Sequence, residues 1–231
     1  GRQHEDLGPR PVTPGVERAF VEYSNSEATR YVTYWDKLTA RTPAQLFRRF
    51  LFAYMSVHTT WESNVKGYEA IREFARWKGD KAALRGAIVQ SGAGLHNNRS
   101  DWIDRFSDDY WADPSRFLRQ VREPWPAYRS RLAARVTGLG PAKVSFALEL
   151  ASPLDAEVLC LDVHMLRLYG VRDPAKLRAG QYEALEADWV SRARAVELPS
   201  FIVKQMHWDR LQGRPDSRYW SHILENENAN A

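Results

Sequence analysis

Apolar residues along this chain recur at intervals of three and four, and caps, prolines and glycines repeatedly interrupt the pattern. Val65, Tyr68, Ile71, Phe74 and Ala75 share one helical face, which predicts an amphipathic helix over 61–78. Thr42-Pro43 is a cap followed by a proline, so a helix is expected over 43–55. A helical pattern over 16–41 precedes it, with a break inside Ser24-Asn25-Ser26. Another helix is expected over 81–90, stopped by Gly92-Ala93-Gly94. The next starts at Ser100-Asp101 and runs toward Ser107, and one capped by Asp113-Pro114 continues through Val121. Glu123-Pro124-Trp125-Pro126 then breaks the pattern. Downstream, Asp173-Pro174 and Gly180 flank short helices, a long helix covers 182–196, and a last one covers 201–211. Residues 1–15 hold three prolines and three glycines and are expected to form a flexible arm, and the polar residues 213–231 are expected to fray. No run sustains a period of two, and the apolar stretch Val158 to Leu161 is too short to assign as a strand. The pattern predicts an all-α protein of many short helices.

The densest chemistry lies between residues 132 and 170. Leu132, Ala133 and Val136 form a short apolar stripe that Thr137-Gly138-Leu139-Gly140 ends. Pro141 suits the first position of a helix, where its missing N–H is harmless. That helix carries Val144, Phe146, Ala147, Leu148 and Leu150, apolar round most of its circumference, and is expected to be buried. A buried helix with an open N-terminus offers free N–H groups and a positive dipole end to a phosphate. Lys143 sits near that mouth, either as a solvated phosphate contact or as a partly desolvated nucleophile. Asp162 follows 19 residues later, between the apolar run Val158-Leu159-Cys160-Leu161 and a helical pattern beginning at Val163. It is expected to cap that helix, a role compatible with chemistry.

These residues resemble the helix-hairpin-helix DNA glycosylase superfamily, which includes endonuclease III and the adenine and 8-oxoguanine glycosylases. Val136-Thr137-Gly138-Leu139-Gly140-Pro141-Ala142-Lys143 matches its hairpin, and Leu161-Asp162-Val163-His164 matches its aspartate motif. More loosely, 50–60 occupies the place of an early family helix ending in Ser-x-Gln-Thr, and 92–99 the place of a glycine turn. The resemblance spans roughly residues 44 to 212. It implies two helical lobes flanking a DNA-binding cleft, the N- and C-terminal helices together building one lobe. Residues 16–231 then form one domain with the hairpin at about 132–150. It further implies Lys143 and Asp162 as catalytic residues, and backbone contacts to DNA from Gly138, Leu139, Gly140 and Ala142. His58, Thr59, Trp61, Asn97, Asn98 and His164 become candidates for the base pocket, Trp61 nearest the flipped base.

Two departures matter. The glutamine expected near the wedge region is replaced by His58 and Thr59-Thr60, and the basic residue after the glycine turn by Asn97-Asn98-Arg99. The single cysteine, Cys160, excludes the four-cysteine iron–sulfur cluster of the endonuclease III branch, so no cofactor is expected. The six histidines show no ligand-like spacing, and no metal is expected either.

Composition narrows the setting. The 231 residues, 44% of them hydrophobic, can bury one sizeable core or two small lobes. A formal net charge of +4 suits local contact with nucleic acid better than a basic coat. One cysteine rules out an internal disulfide framework and favours a reducing compartment. No apolar run approaches the roughly 18 residues of a membrane span and no signal-peptide pattern opens the chain. A monomeric intracellular protein is expected, cytoplasmic or nucleoid-associated, or in the host cytoplasm if phage-encoded.

The leading expectation is an enzyme that flips a nucleotide out of double-stranded DNA and cleaves its N-glycosidic bond, with lyase activity through Lys143. A second is a diverged phage relative that modifies 5-hydroxymethyluracil in DNA, an amino acid or amine displacing pyrophosphate. A third is a DNA-binding module without catalysis, which the joint presence of Lys143 and Asp162 argues against.

Overall fold

Capping side chains divide the chain into helices much as the pattern predicts. The computed structural model describes residues 14–213 and Leu224. Within them the helices are α1 (Pro14–Ala19), α2 (Asn25–Lys37), α3 (Pro43–Met55), α4 (Trp61–Ile71), α5 (Lys81–Gln90), α6 (His96–Ala112), α7 (Trp125–Ala133), α8 (Pro141–Ala151), α9 (Val163–Leu168), α10 (Gln181–Ala195) and α11 (Ser200–Leu211). Short 3-10 turns lie at Phe74–Arg76, Pro114–Phe117 and Pro174–Lys176. No strand occurs among the described residues, and the fold is all-α. Of the arm expected over 1–15, residues 1–13 lie outside the described residues, and Pro14 and Gly15 open α1. The tail expected to fray is outside them as well, apart from Gly213 and Leu224.

Local chemistry explains the boundaries. Ser24 accepts from the Glu27 N–H and starts α2 at the expected break. Thr42 and Gln45 form a reciprocal capping box at α3. Asp80 and Asp162 accept from the Ala83 and Met165 N–H groups and cap α5 and α9. Three expectations need correction. The helix expected over 61–78 ends at Ile71, and Phe74–Arg76 is a separate 3-10 turn, with the Trp77 indole donating to the Ile71 carbonyl. α6 begins at His96 instead of Ser100, after a left-handed Leu95 that supplies no side-chain cap. The Ser100 hydroxyl turns back onto the Asn97 carbonyl within that helix. The stretch from Asp113 to Val121 forms only one 3-10 turn, because Arg131 takes the carbonyls of Arg116 and Leu118 at 2.7 and 2.8 Å.

α3 is the central element. Every residue from Gln45 to Met55 is buried, and the helix packs against α4, α6 and α8. Its buried Arg49 is met by carbonyls, donating to Leu38 O at 2.8 Å and to Leu150 O at 3.3 Å. The N- and C-terminal helices make one lobe. Trp35 meets Phe201 edge-on at 4.7 Å, Phe20 meets Trp189 at 4.6 Å, and the Tyr31 hydroxyl donates to Asp209 at 2.7 Å. The other lobe gathers α4 to α6 around Phe47, Phe106 and Tyr110. α7 and α8 form the helical hairpin and pack on one another. No helix of the described residues is long and apolar enough to cross a membrane.

Candidate active site

The turn between α7 and α8 is fixed from below. Leu139 is buried among core residues, and the Tyr54 hydroxyl from α3 donates to the Thr137 carbonyl. Gly138 has a φ of +84°, and a Cβ there would lie 2.4 Å from the Trp102 ring. Both the backbone angle and the indole therefore demand glycine. Gly140 is different: its φ is −79°, and a Cβ would meet nothing within 4 Å. Gly140 leaves open space before a helix that has no side-chain cap. The first-turn N–H groups of α8, including that of half-buried Ala142, are the natural anion-binding donors.

Lys143 lies one turn into α8. Its Nζ donates to the carbonyl of Ser56, just past the end of α3, at 3.2 Å, and stands 5.5 Å from the centre of the Phe146 ring. Asp162 closes a non-helical segment that returns from α8, and its Oδ1 accepts from the Met165 N–H at 2.8 Å, which fixes the carboxylate. Lys143 and Asp162 line one cavity of about 300 Å³. Trp61, Phe146, Phe201 and Trp208 supply its aromatic walls, and Asn64, Glu149, Lys204 and Gln205 its polar ones.

Of the residues expected in the base pocket, Thr59 and Trp61 line this cavity, Trp61 being 37% exposed. His58, Asn97, Asn98 and His164 are not among its lining residues. His58 has a φ of +48° and points its exposed side chain outward. Asn97 and Asn98 are exposed on the first turn of α6, where Asn97 accepts from the Arg85 Nε at 2.7 Å. Arg99 points inward instead. Its guanidinium donates to the carbonyls of Tyr54, Val57 and Gly94, joining the loop after α3 to the loop before α6. Burial lowers its pKa. His164 packs edge-on against Trp208 at 4.8 Å and so backs a wall of the cavity without lining it.

Asn64, Glu149, Lys204 and Trp208 escaped the sequence reading. The signal for two of them was visible: Glu149 interrupts the apolar run of α8, and Lys204 follows Phe201-Ile202-Val203 in α11. A charge within a buried stretch needs a partner. Lys204 Nζ lies 2.7 and 2.9 Å from the two Glu149 oxygens. Burial pushes the Glu149 carboxyl up to about 7, against the pull of Lys204 and the Cys160 N–H. Burial also raises the Cys160 thiol to about 11, so it stays protonated and unreactive near neutrality. Asn64, only 4% exposed, keeps an Oδ1 without a hydrogen-bond partner.

No protein-family model and no curated protein matches the chain in sequence. Solved structures do match. The 8-oxoguanine DNA glycosylase of Thermotoga maritima has a TM-score of 0.65 at 18% identity, covering 89% of this chain and 98% of that one. The Methanocaldococcus jannaschii 8-oxoguanine glycosylase/lyase, crystallised with a 15mer DNA containing 8-oxoguanine, gives 0.64 at 17% identity over 89% and 99% of the two chains. The same organism's 8-oxoguanine DNA glycosylase in a further crystal structure gives 0.61 at 18% identity, over 87% of this chain and 93% of that one. The fold is that of the helix-hairpin-helix DNA glycosylases. At these identities the likeness establishes architecture alone, and the chemistry must be argued from the cavity.

Proposed function

We propose that this protein is a DNA glycosylase that flips a modified or damaged base into the cavity, cleaves its N-glycosidic bond and then acts as a lyase through Lys143. The observation that carries the reading is the shared cavity. An amine and a carboxylate from separate elements line one aromatic-walled cavity, and the amine stands in the first turn of the helix that follows Gly140. The hairpin amides hold a backbone phosphate, which sets register without reading sequence. Trp61 and Trp208 offer ring faces and edges to a flat base. Asp162 stabilises positive charge that develops on the sugar as the base departs. The Lys143 amine, once it has given its ammonium proton to solvent, bonds to C1′, the base leaves with the electrons of the broken bond, and loss of a further nitrogen proton with ring opening gives a Schiff base. Elimination of the 3′ phosphate then cuts the strand.

The modifying alternative calls for polar residues at His58, Thr59, Asn97 and Asn98 around a charged substituent, and of these Thr59 alone lines the cavity. Excision is therefore the preferred reading. The named substrate of the structural neighbours, 8-oxoguanine, is the first base to try. Mass spectrometry of a panel of modified duplexes after incubation separates the two chemistries. Excision releases a free base, whereas transfer leaves a heavier nucleoside in intact DNA and would overturn the proposal.

A further inference from the structure

The residues just before Asp162 carry an unusual set of bonds. Leu159, Cys160 and Leu161 lie outside any helix, and burial obliges their backbone groups to find partners. In a sheet a neighbouring strand would provide them. Here side chains from three helices do so. The Leu159 N–H donates to Glu186 at 2.8 Å, and the Leu159 carbonyl accepts from the Tyr182 hydroxyl. The Cys160 N–H donates to Glu149 at 2.9 Å, and its carbonyl accepts from Lys204 at 2.9 Å. The Leu161 N–H donates to the Tyr182 hydroxyl at 3.0 Å.

Glu149 and Lys204 stand out within this set because they also line the cavity. They are poorly suited to read a base. An ammonium has three donors, and those of Lys204 go to the two Glu149 oxygens and the Cys160 carbonyl. Nor is stability an adequate reason for them, since a buried ion pair is often no more stabilising than apolar residues of similar volume. What the pair uniquely does is hold Cys160 by both its N–H and its C=O, two residues ahead of Asp162.

We propose that Glu149 and Lys204 are positioning residues that fix the Asp162 carboxylate in the cavity by clamping Cys160 from both sides. The clamp depends on the excision chemistry proposed above only where reaction rate is the readout. Its geometry has a separate readout in backbone exchange.

The test uses the full chain, with Glu149→Met and Lys204→Met combined so that neither charge is stranded. A duplex bearing one central abasic site serves as the probe, under single-turnover conditions well below the unfolding midpoint. The double variant is expected to bind the duplex within about twofold of wild type yet cleave it at least about tenfold more slowly, as expected when a reacting group is misplaced. Hydrogen exchange at the Cys160 and Leu161 amides is expected to accelerate. Glu149→Gln keeps an acceptor for the Cys160 N–H but turns an amide N–H toward Lys204, and is expected to cleave at a rate between those of wild type and the double variant. If the double variant does not fold, Lys204→Met alone tests the carbonyl half, because Glu149 can take up a proton and stay neutral. A folded double variant that cleaves at the wild-type rate, or amides that stay protected in it, would overturn the clamp. If wild type leaves abasic DNA intact, the lyase reading fails, and amide exchange alone then decides for or against the clamp.

Discussion

The two sides of the cavity are secured by opposite means. On the Asp162 side, donors and acceptors alternate, and the segment is matched group for group by Glu186, Tyr182, Glu149 and Lys204. On the Ser56 side a single guanidinium, Arg99, collects carbonyls from the last turn of α3 and from two loops. Those loops carry the exposed left-handed residues His58 and Leu95. The difference suits different tasks. Under the proposed function, a catalytic carboxylate would need to be held closely, whereas a rim meeting DNA would need to present exposed backbone and side chains without collapsing. Neither side uses a strand, and in both a buried charge performs the work of a neighbouring backbone.

Breaking the first side should cost most. Glu186 pairs with Arg129, and both are buried. Glu186→Ala leaves the Arg129 charge and the Leu159 N–H without that partner, for an expected loss of about 3–5 kcal/mol in denaturant unfolding. Arg99→Met frees the loop carbonyls of Val57 and Gly94, which can regain water, and leaves the Tyr54 carbonyl its bond from the Val57 N–H, so a smaller loss of about 2–3 kcal/mol is expected. If Arg99→Met proves the more damaging, the two sides are not organised as described.

The Glu149 carboxyl gives the comparison a pH axis. Its folded value of about 7 exceeds the ordinary 4.5 because burial disfavours the charge. Stability from the neutral form is therefore full below the ordinary value and is lost as pH rises through about 7. Wild type should lose stability relative to Glu149→Gln over that window, measured as the difference in unfolding free energy at several pH values. A flat difference would place the ionisation elsewhere.

The sharpest contrast, and in Gly140 the smallest effect on stability, belongs to the hairpin glycines. Gly138→Ala should destabilise by about 2 kcal/mol or more, through its positive φ and the clash with Trp102. Gly140→Ala should change stability by less than about 0.5 kcal/mol, since its backbone angle is ordinary and its surroundings are open. Its methyl group would nonetheless stand where a phosphate is expected, so duplex affinity should fall several-fold in a fluorescence titration.

What the sequence disclosed follows the range of the forces involved. Helices α3 and α5 begin and end where the pattern puts them, because caps such as Thr42 and Asp80 act within one turn. α6 was misplaced because nothing local marks a start at His96: Leu95 offers no cap, and the fixing interaction comes from Arg99 reaching loops distant in sequence. The hairpin and the Lys143–Asp162 separation were legible as a motif. Thr59 and Trp61 were legible too, but the remaining walls of the cavity were not. Glu149 meets Lys204 across 55 residues, and only the packing of α8 against the segment before Asp162 shows why either is there. Asn97 and Asn98 misled for the converse reason, since the inward member of that triplet is Arg99.

The central claim is that Lys143 is the amine that meets the sugar. Borohydride reduction during incubation with an abasic duplex, followed by peptide mapping, tests it most directly. Wild type should yield a covalent protein–DNA adduct at Lys143, and Lys143→Gln should yield none while keeping its helical content. An adduct that persists in Lys143→Gln, or maps to another residue such as Lys204, would contradict the account.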